Sequence, residues 1–439
     1  MILPGPPGFF PLIVAAVLLG GRSAHAQHTL HMIQESGPPE NRVDLAVLGD
    51  GYTEGEQETF AADAEQALDR LFANTPYAEY LPLFNIARID TVSAESGADH
   101  PSQDHWVDTF FGCHFDCMGL PHLICCDDYA IFTAAATVYP AYDVLLLLVN
   151  DKAPGGSGGL VAISSTSTWA LDVPPHEFGH TFAGLGDEYD DPPYPGFQGC
   201  EQFPNISATA DIDLLKWAHW VDADTPLPTP MSAAENNHHP VGAYEGACYQ
   251  PVGFFRPAPR CLMRSLNSTL CPVCSELMVL AFWGYVDPVD SFEPVEDDLA
   301  GEAGEVLEFR VEAVRPDPDT VEVRWLVNGL PIPGAQHDTL ELAVTALVPG
   351  VNEVTALVED VTPLVIDDDE GLLTGAVTWT VTRTDDGADT DPGADHGPPL
   401  SAGAGGCGCS SALGRARTGF PGLAALVGRL FAGREGGTR

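Results

Sequence analysis

Short apolar runs recur along the first half of the chain. The run at 43–48 is short and largely apolar, as expected of a buried strand. The run at 142–149 is a longer, continuous apolar run, which fits a strand covered on both faces of a sheet. Shorter runs at 84–89 and 160–165 predict two further strands. The Gly-rich run at 155–159 lacks a phosphate-binding pattern and predicts a flexible turn.

One long segment of this half has helical rather than strand periodicity. Thr53 and Glu56 form a capping box at its start. Apolar residues then recur at helical spacing: Phe60, Ala64, Ala67, Leu68, Leu71 and Phe72. We therefore predict a helix at 53–73 and, with the neighbouring strands, a mixed α/β (α+β) domain.

The pattern changes at 291–384, where several short segments alternate apolar and polar residues. Alternating or apolar strand candidates follow one another at 307–311, 321–325, 340–344, 354–358 and 376–381. Turn signals such as Asn328-Gly329 separate them, and Trp325 is expected to point inward. This pattern predicts an all-β, immunoglobulin-like sandwich, in which we find no catalytic group of residues.

Both ends of the chain have the composition of targeting or linking segments. Residues 1–26 resemble a signal peptide, with an apolar core at 9–19 and Ala24-His25-Ala26 as a cleavage site. Residues 385–406 are rich in Asp, Gly, Ala and Pro and predict a disordered acidic linker. Residues 407–439 begin with Cys-Gly-Cys and contain an apolar stretch and terminal Arg residues.

The charge of the chain limits its partners. A formal net charge of −45 repels nucleic acid and anionic lipid, so we expect no nucleic-acid partner. Eleven Cys residues are present, nine of them between Cys113 and Cys274. In an exported chain we expect disulfides, with at least one of these nine left over. The spacing of Cys271 and Cys274 suits zinc or redox chemistry, but disulfide membership is favoured.

The strongest motif is His176-Glu177-Phe178-Gly179-His180. Two His residues one helical turn apart lie on one face, so both imidazoles can bind one ion. Glu177 stands beside the first His and can take a proton from a water molecule that the metal acidifies. Asp172 is a candidate cap for this helix, followed by two Pro residues in the first turn.

A catalytic zinc ion needs a third ligand from the protein. Gly184 lets the chain turn out of the helix, and Asp187 follows three residues later, so Asp187 is our choice, with Glu188 as the alternative. Asp190 and Asp191 compete, and a structural calcium ion is another interpretation of this acidic run. The pair at 238–239, His-His, is interpreted as a surface loop.

Several separated blocks resemble the immunoglobulin-A-cleaving metallopeptidase family of bacteria over residues 43–285. The matching stretches are Gly49-Asp50-Gly51-Tyr52, Phe84-Asn85-Ile86 with Asp90, Val149-Asn150-Asp151, His176 to Tyr189, Tyr244-Glu245-Gly246-Ala247, Cys261-Leu262-Met263-Arg264 and Cys271-Pro272-Val273-Cys274. The family is similar to the metzincins, which implies a Met-turn at Met263 beneath a zinc ion. Gly184 and Asp187 each lie one residue farther along than in the usual metzincin pattern.

The resemblance implies an exported zinc endopeptidase with a protein or peptide substrate. The expected division is 1–26 signal peptide, 27–290 zinc peptidase domain, 291–384 sandwich, 385–406 linker and 407–439 C-terminal segment. That segment is similar to a sorting tag of myxobacterial surface proteins, which implies attachment to the cell envelope as an alternative to secretion. The strand at 160–165 is expected to pair with an extended substrate. The alternatives are a non-catalytic surface adhesin and a zinc hydrolase of a non-peptide amide.

Overall fold

The computed structural model describes residues 28–169, 171–190, 199–232 and 241–384. The predicted signal peptide, acidic linker and C-terminal segment lie outside these ranges, as does the pair at 238–239. Within the ranges, none of the helices has the length and apolar character needed to cross a membrane.

A six-stranded mixed sheet forms the centre of the first domain. Its strands are β1 (Thr29–Gln34), β2 (Val43–Asp50), β3 (Phe84–Asp90), β4 (Val144–Val149), β5 (Gly156–Ser157) and β6 (Ala162–Ser165). They lie in the order β1-β3-β2-β4-β6-β5. The four inner strands are parallel to one another, and the outer strands β1 and β5 are antiparallel to their neighbours. All four predicted strands of this domain are confirmed, with ends shifted by a few residues.

Both faces of this sheet are covered. Every residue of β2 and β4 is buried. Leu146 and Leu148 face one apolar cluster, which includes Phe178, whereas Leu145 and Leu147 face the other. The alternation of side chains along a strand thus explains why the sequence shows a continuous apolar run there.

The helices are α1 (Gln57–Leu71), α2 (Tyr77–Tyr80), α3 (Asp128–Val138), α4 (Val173–Ala183) and α5 (Pro272–Tyr285). The predicted capping box is confirmed, since Glu56 accepts hydrogen bonds from the Thr53 backbone N–H at 2.9 Å and hydroxyl at 2.6 Å. The predicted helix at 53–73 begins with a 3₁₀ turn at Glu54–Glu56. A two-stranded hairpin, β7 (Tyr244–Ala247) and β8 (Gln250–Arg256), completes the first domain.

Two residues of the Gly-rich run, Gly156 and Ser157, form an edge strand, so the prediction of a flexible turn was wrong at these positions. Gly156 and Ser157 pair with Ser164 and Ile163 of β6. A Cβ atom on Gly156 would lie 2.6 Å from the Ile163 carbonyl oxygen, so the absence of a side chain allows this close approach. Strand β5 therefore occupies the edge of β6, and an extended substrate cannot pair with β6 at these positions.

The second domain consists of two facing sheets. Its strands are β9 (Val289–Glu293), β10 (Asp298–Glu302), β11 (Val306–Ala313), β12 (Val321–Val327), β13 (Leu330–Pro331), β14 (Thr339–Ala343), β15 (Gly350–Asp360) and β16 (Thr374–Thr384). The sheets have the orders β10-β16-β15-β12-β13 and β14-β11-β9. The inward position of Trp325 is confirmed: its ring stacks on that of Trp379, with centroids 5.9 Å apart. The immunoglobulin-like topology stays a prediction.

The two domains share buried polar contacts and one apolar core. Asp360 of β15 accepts hydrogen bonds from the Tyr80 hydroxyl at 2.6 Å and from the Trp283 indole at 2.8 Å. Glu276 of α5 accepts a hydrogen bond from the backbone N–H of Ile366 at 2.8 Å. A single cluster of buried apolar side chains extends through both domains, so the sandwich is part of the packing of the first domain.

Candidate metal centre

Helix α4 carries the motif His176 to His180 and begins where the sequence predicts. Pro174 and Pro175 lie in its first turn, and Gly184 ends it in a left-handed conformation with φ of 62°. The prediction that the Asp172 side chain caps the helix was wrong. Asp172 occupies the N-cap position, but its backbone is not extended as a side-chain cap requires (φ −89°, ψ 1°). Its carboxylate instead binds Arg70 and the backbone N–H of Asn267.

The structure brings His176, His180 and Asp187 together at one point. The Nε2 atoms of the two histidines are 3.1 Å apart. Each also approaches Oδ1 of Asp187, His176 at 3.2 Å and His180 at 3.3 Å. Tetrahedral zinc with bonds of about 2.0–2.1 Å places neighbouring ligand atoms about 3.3 Å apart. The three atoms therefore have the spacing of one face of a zinc site.

Backbone carbonyl groups orient both imidazoles. Nδ1 of His176 lies 3.0 Å from the carbonyl oxygen of Leu262, and Nδ1 of His180 lies 2.6 Å from that of Leu185. A carbonyl only accepts hydrogen bonds, so in the neutral form of each ring Nδ1 carries the proton and Nε2 has the lone pair that can bind a metal ion. Three acceptor atoms thus face one another, an arrangement that a shared cation would stabilise.

Asp187 reaches the histidines because the chain turns at Gly184. Its side chain is 9% exposed, and its Oδ1 atom has no hydrogen-bond donor among the described residues. Its other oxygen accepts a hydrogen bond from the Tyr249 hydroxyl. Sequence reasoning missed Tyr249. It lies 62 positions from Asp187 along the chain, and no motif spacing links the two residues.

The acidic run after the helix does not converge on one point. The carboxylate of Glu188, the alternative third ligand, lies instead with three cysteine sulfur atoms. Asp190 approaches Arg264 at 3.4 Å, and Asp191 lies outside the described residues. Calcium needs six to eight oxygen ligands around one position, which these described carboxylates do not provide.

Glu177 lies beside the cluster and opposite strand β5. A Cβ atom on Gly156 would be 2.9 Å from Oε1 of Glu177, so the glycine leaves room for this carboxylate. Burial raises the pKa of Glu177, and the neighbouring histidines oppose that shift only in part. A carboxylate with a raised pKa, next to a metal site, is suited to accept a proton near neutral pH.

Met263 lies against helix α4 at Gly179. It is fully buried, and a Cβ atom on Gly179 would be 2.9 Å from its sulfur atom. The carbonyl of the preceding residue, Leu262, is the one that orients His176. The turn containing Met263 therefore both supports the helix and positions one histidine.

The charges of the cluster favour binding of a cation. Burial alone would lower the pKa of His180, but the Asp187 carboxylate outweighs it and raises the pKa to about 9. The pKa of His176 is raised as well: burial and the charge of His180 lower it, but the nearby carboxylates of Asp187 and Glu177 together outweigh them. In the metal-free chain a proton therefore occupies the position that a cation would take, and metal binding releases it.

Comparison with known proteins supports this interpretation of the geometry. The family model described as IgA Peptidase M64 matches residues 31–239 and 231–282, which together cover more than half of the chain. No curated protein matches the chain. The matched residues include helix α4, Asp187 and the turn at Met263. The chain therefore belongs to the IgA peptidase M64 family, a family of metallopeptidases.

Proposed function

We propose that the chain is an exported zinc endopeptidase that hydrolyses peptide bonds of a protein or peptide substrate. In this proposal His176, His180 and Asp187 hold the ion, and Glu177 is the general base. The observation that carries it is the convergence of two lone pairs and one buried carboxylate oxygen within 3.3 Å of one another. Two imidazoles and one carboxylate are a donor set of catalytic zinc sites, in which one position stays open.

Each group has a defined part in the hydrolysis. Zinc in such a site polarises a carbonyl group and lowers the pKa of a water molecule. Glu177 would take a proton from the attacking water and pass it to the leaving amine, so it would act first as base and then as acid. Leu262 and Leu185 keep Nε2 of both histidines available through their carbonyl groups.

The disulfides of the chain support export. Three form between described residues: Cys113–Cys126, Cys117–Cys125 and Cys200–Cys248. Structural disulfides persist mainly in oxidising compartments, which agrees with a signal peptide at 1–26. We also propose attachment to the cell envelope through 407–439, on the basis of the sequence of that segment.

The first test compares the wild type with Glu177→Gln on a library of peptides, with zinc measured in both proteins. We expect the variant to retain zinc and to lose about 10²–10⁴-fold in rate, because general-base catalysis contributes on this order. Glu58→Gln, the same change at an exposed position of α1, is the control and should cleave like the wild type.

Other outcomes would select an alternative. Equal cleavage by wild type and Glu177→Gln would remove Glu177 from the mechanism. Zinc bound to the wild type without cleavage of any peptide would favour a non-catalytic adhesin. Turnover of non-peptide amides alone would favour a different zinc hydrolase.

A further inference from the structure

A second group of metal-binding side chains lies apart from the histidine cluster. Glu188, Cys261, Cys271 and Cys274 each offer one ligand atom, and these four atoms all lie within 4.8 Å of one another. None of the four residues is more than 4% exposed. They come from three separate parts of the chain, so the fold, rather than a local sequence motif, brings them together.

The three cysteines of this group are free thiols, contrary to the prediction that Cys271 and Cys274 belong to a disulfide. The other six cysteines of the described residues are paired with one another. One disulfide within the group would use two sulfur atoms and leave the third alone. A metal ion that binds all three buried thiols therefore explains their number better than a disulfide does.

Glu188 provides an independent observation. Its Oε1 atom is 3.1 Å from the Asn205 amide nitrogen, which donates to it, and 3.2 Å from the Cys274 sulfur atom. Its Oε2 atom is fully buried and has no partner within the described part of the chain. Burial of a charged oxygen without a partner is unfavourable. A bound cation would offset that cost.

We propose that Glu188, Cys261, Cys271 and Cys274 form a structural site for one thiophilic divalent cation, zinc, in addition to the metal of the histidine cluster. Three thiolates and one carboxylate make four ligands, the number that structural zinc sites use. Bonds of about 2.3 Å to sulfur place neighbouring sulfur atoms about 3.8 Å apart in a tetrahedron. The observed group is compact enough to adopt this geometry with small side-chain shifts.

Two further features agree with a structural rather than a catalytic site. All four ligands come from protein side chains, so no position is left for water or substrate. The buried Arg256 side chain lies close enough to Glu188 for their charges to interact. Its positive charge partly balances the negative charge that would remain on a zinc ion with four anionic ligands.

The site would connect the segments that build the catalytic centre. Glu188 follows Asp187, and its backbone N–H donates to the carbonyl of Met263 at 2.8 Å. Cys261 precedes Met263 by two residues, and Cys271 and Cys274 lie at the N-terminus of α5. An ion bound here would hold the Asp187 loop, the turn at Met263 and helix α5 in one arrangement.

The test measures metal content and sulfur ligation in the full chain purified with zinc alone. We expect two zinc ions per chain in the wild type, and X-ray absorption showing a sulfur shell at about 2.3 Å. Cys271→Ser/Cys274→Ser should bind one zinc without sulfur ligation. Cys117→Ser/Cys125→Ser, which removes a disulfide by the same substitutions, should keep both ions.

The wild type alone decides the proposal, even if the variants fail to fold. Peptide mapping that finds a disulfide among Cys261, Cys271 and Cys274 would overturn it. So would one zinc per chain with nitrogen and oxygen ligands only. Sulfur-bound zinc in a protein without peptidase activity would support this site while contradicting the proposed function, so the two failures are distinguishable.

Discussion

Backbone groups and one tyrosine hydroxyl control the metal-binding atoms of the candidate centre. The carbonyl groups of Leu262 and Leu185 orient the two histidines, and they persist whatever side chains those two residues carry. Asp187 differs, because its orientation depends on a hydrogen bond from the side-chain hydroxyl of Tyr249. Asp187, the proposed third ligand, is therefore the one whose orientation a single substitution can test.

Removal of the hydroxyl by Tyr249→Phe should weaken zinc binding about 10–100-fold, the range for loss of a group that orients a metal ligand. The reason is that Asp187 would lose the donor to its second oxygen and become free to rotate. Competition with a chelator measures the affinity. Tyr129→Phe, at a position 81% exposed, is the control. Unchanged zinc affinity in Tyr249→Phe would contradict this role.

The stability of the metal-free protein should depend on pH through His180. Its pKa is raised from 6.5 to about 9, so the folded chain binds this proton more tightly than the unfolded chain does. The resulting stabilisation is complete below pH 6.5 and is lost as the pH rises to about 9. We expect the free energy of unfolding to fall over this range by a few kcal/mol at most, on the order of 1.4 kcal/mol per unit of pKa shift.

Denaturant titrations of metal-free protein between pH 6 and 10 measure this dependence. Metal-free His180→Gln has no group to titrate at this position and should show a flatter profile. Zinc-loaded wild type should also be flatter, because the ion has displaced the proton. Parallel profiles for the wild type and His180→Gln would show that another group is responsible.

At the scale of elements, the start of helix α4 is held by contacts to two other segments. Asp172, 4% exposed at its side chain, binds Arg70 of α1 and the backbone N–H of Asn267. Asp172→Ala would leave both donors without their acceptor. We expect a loss of about 1–3 kcal/mol in the free energy of unfolding, measured with urea. Asp69→Ala, at an exposed position of α1, should change little; equal losses would rule out this explanation.

The elements that build the site were largely predictable from the sequence. Helix α4 was predictable because two Pro residues and one Gly mark its ends. Strands β2 and β4 were predictable because strands buried on both faces have largely apolar sequences. His176 and His180 are local to one helix, so their shared face follows from helical geometry.

Features that depend on tertiary contacts were not predictable. The Gly-rich run forms strand β5 because its neighbours approach closely, and nothing in its own sequence favours a strand. Asp172 has the residue type of a cap, but Arg70 and Asn267 compete for its carboxylate. The cluster at Glu188 assembles side chains up to 86 positions apart, which no sequence spacing indicates.

At the scale of the whole molecule, Asp360 connects the sandwich to the first domain. Its carboxylate accepts hydrogen bonds from Tyr80 and Trp283, both buried, and from Thr320. Asp360→Ala would leave the first two donors buried without an acceptor, at a cost of about 1–3 kcal/mol each. We expect unfolding in denaturant to begin at a lower concentration and to separate into two transitions, one for each domain.

Tryptophan fluorescence and circular dichroism report on these transitions. Asp297→Ala, at an exposed position before β10, should unfold like the wild type. If Asp360→Ala also unfolds in one step at the wild-type midpoint, the hydrogen bonds of Asp360 contribute nothing to the coupling of the domains.

The apolar cluster that continues from helix α5 into the sandwich has a consequence for any attempt to isolate the peptidase. Cutting the gene before Val289, at the first strand of the sandwich, would expose Trp283, which is now 2% exposed and donates to Asp360 of the sandwich. Large newly exposed apolar patches promote aggregation. A soluble catalytic fragment would therefore have to retain the sandwich or receive polar replacements along the surface from which it was removed.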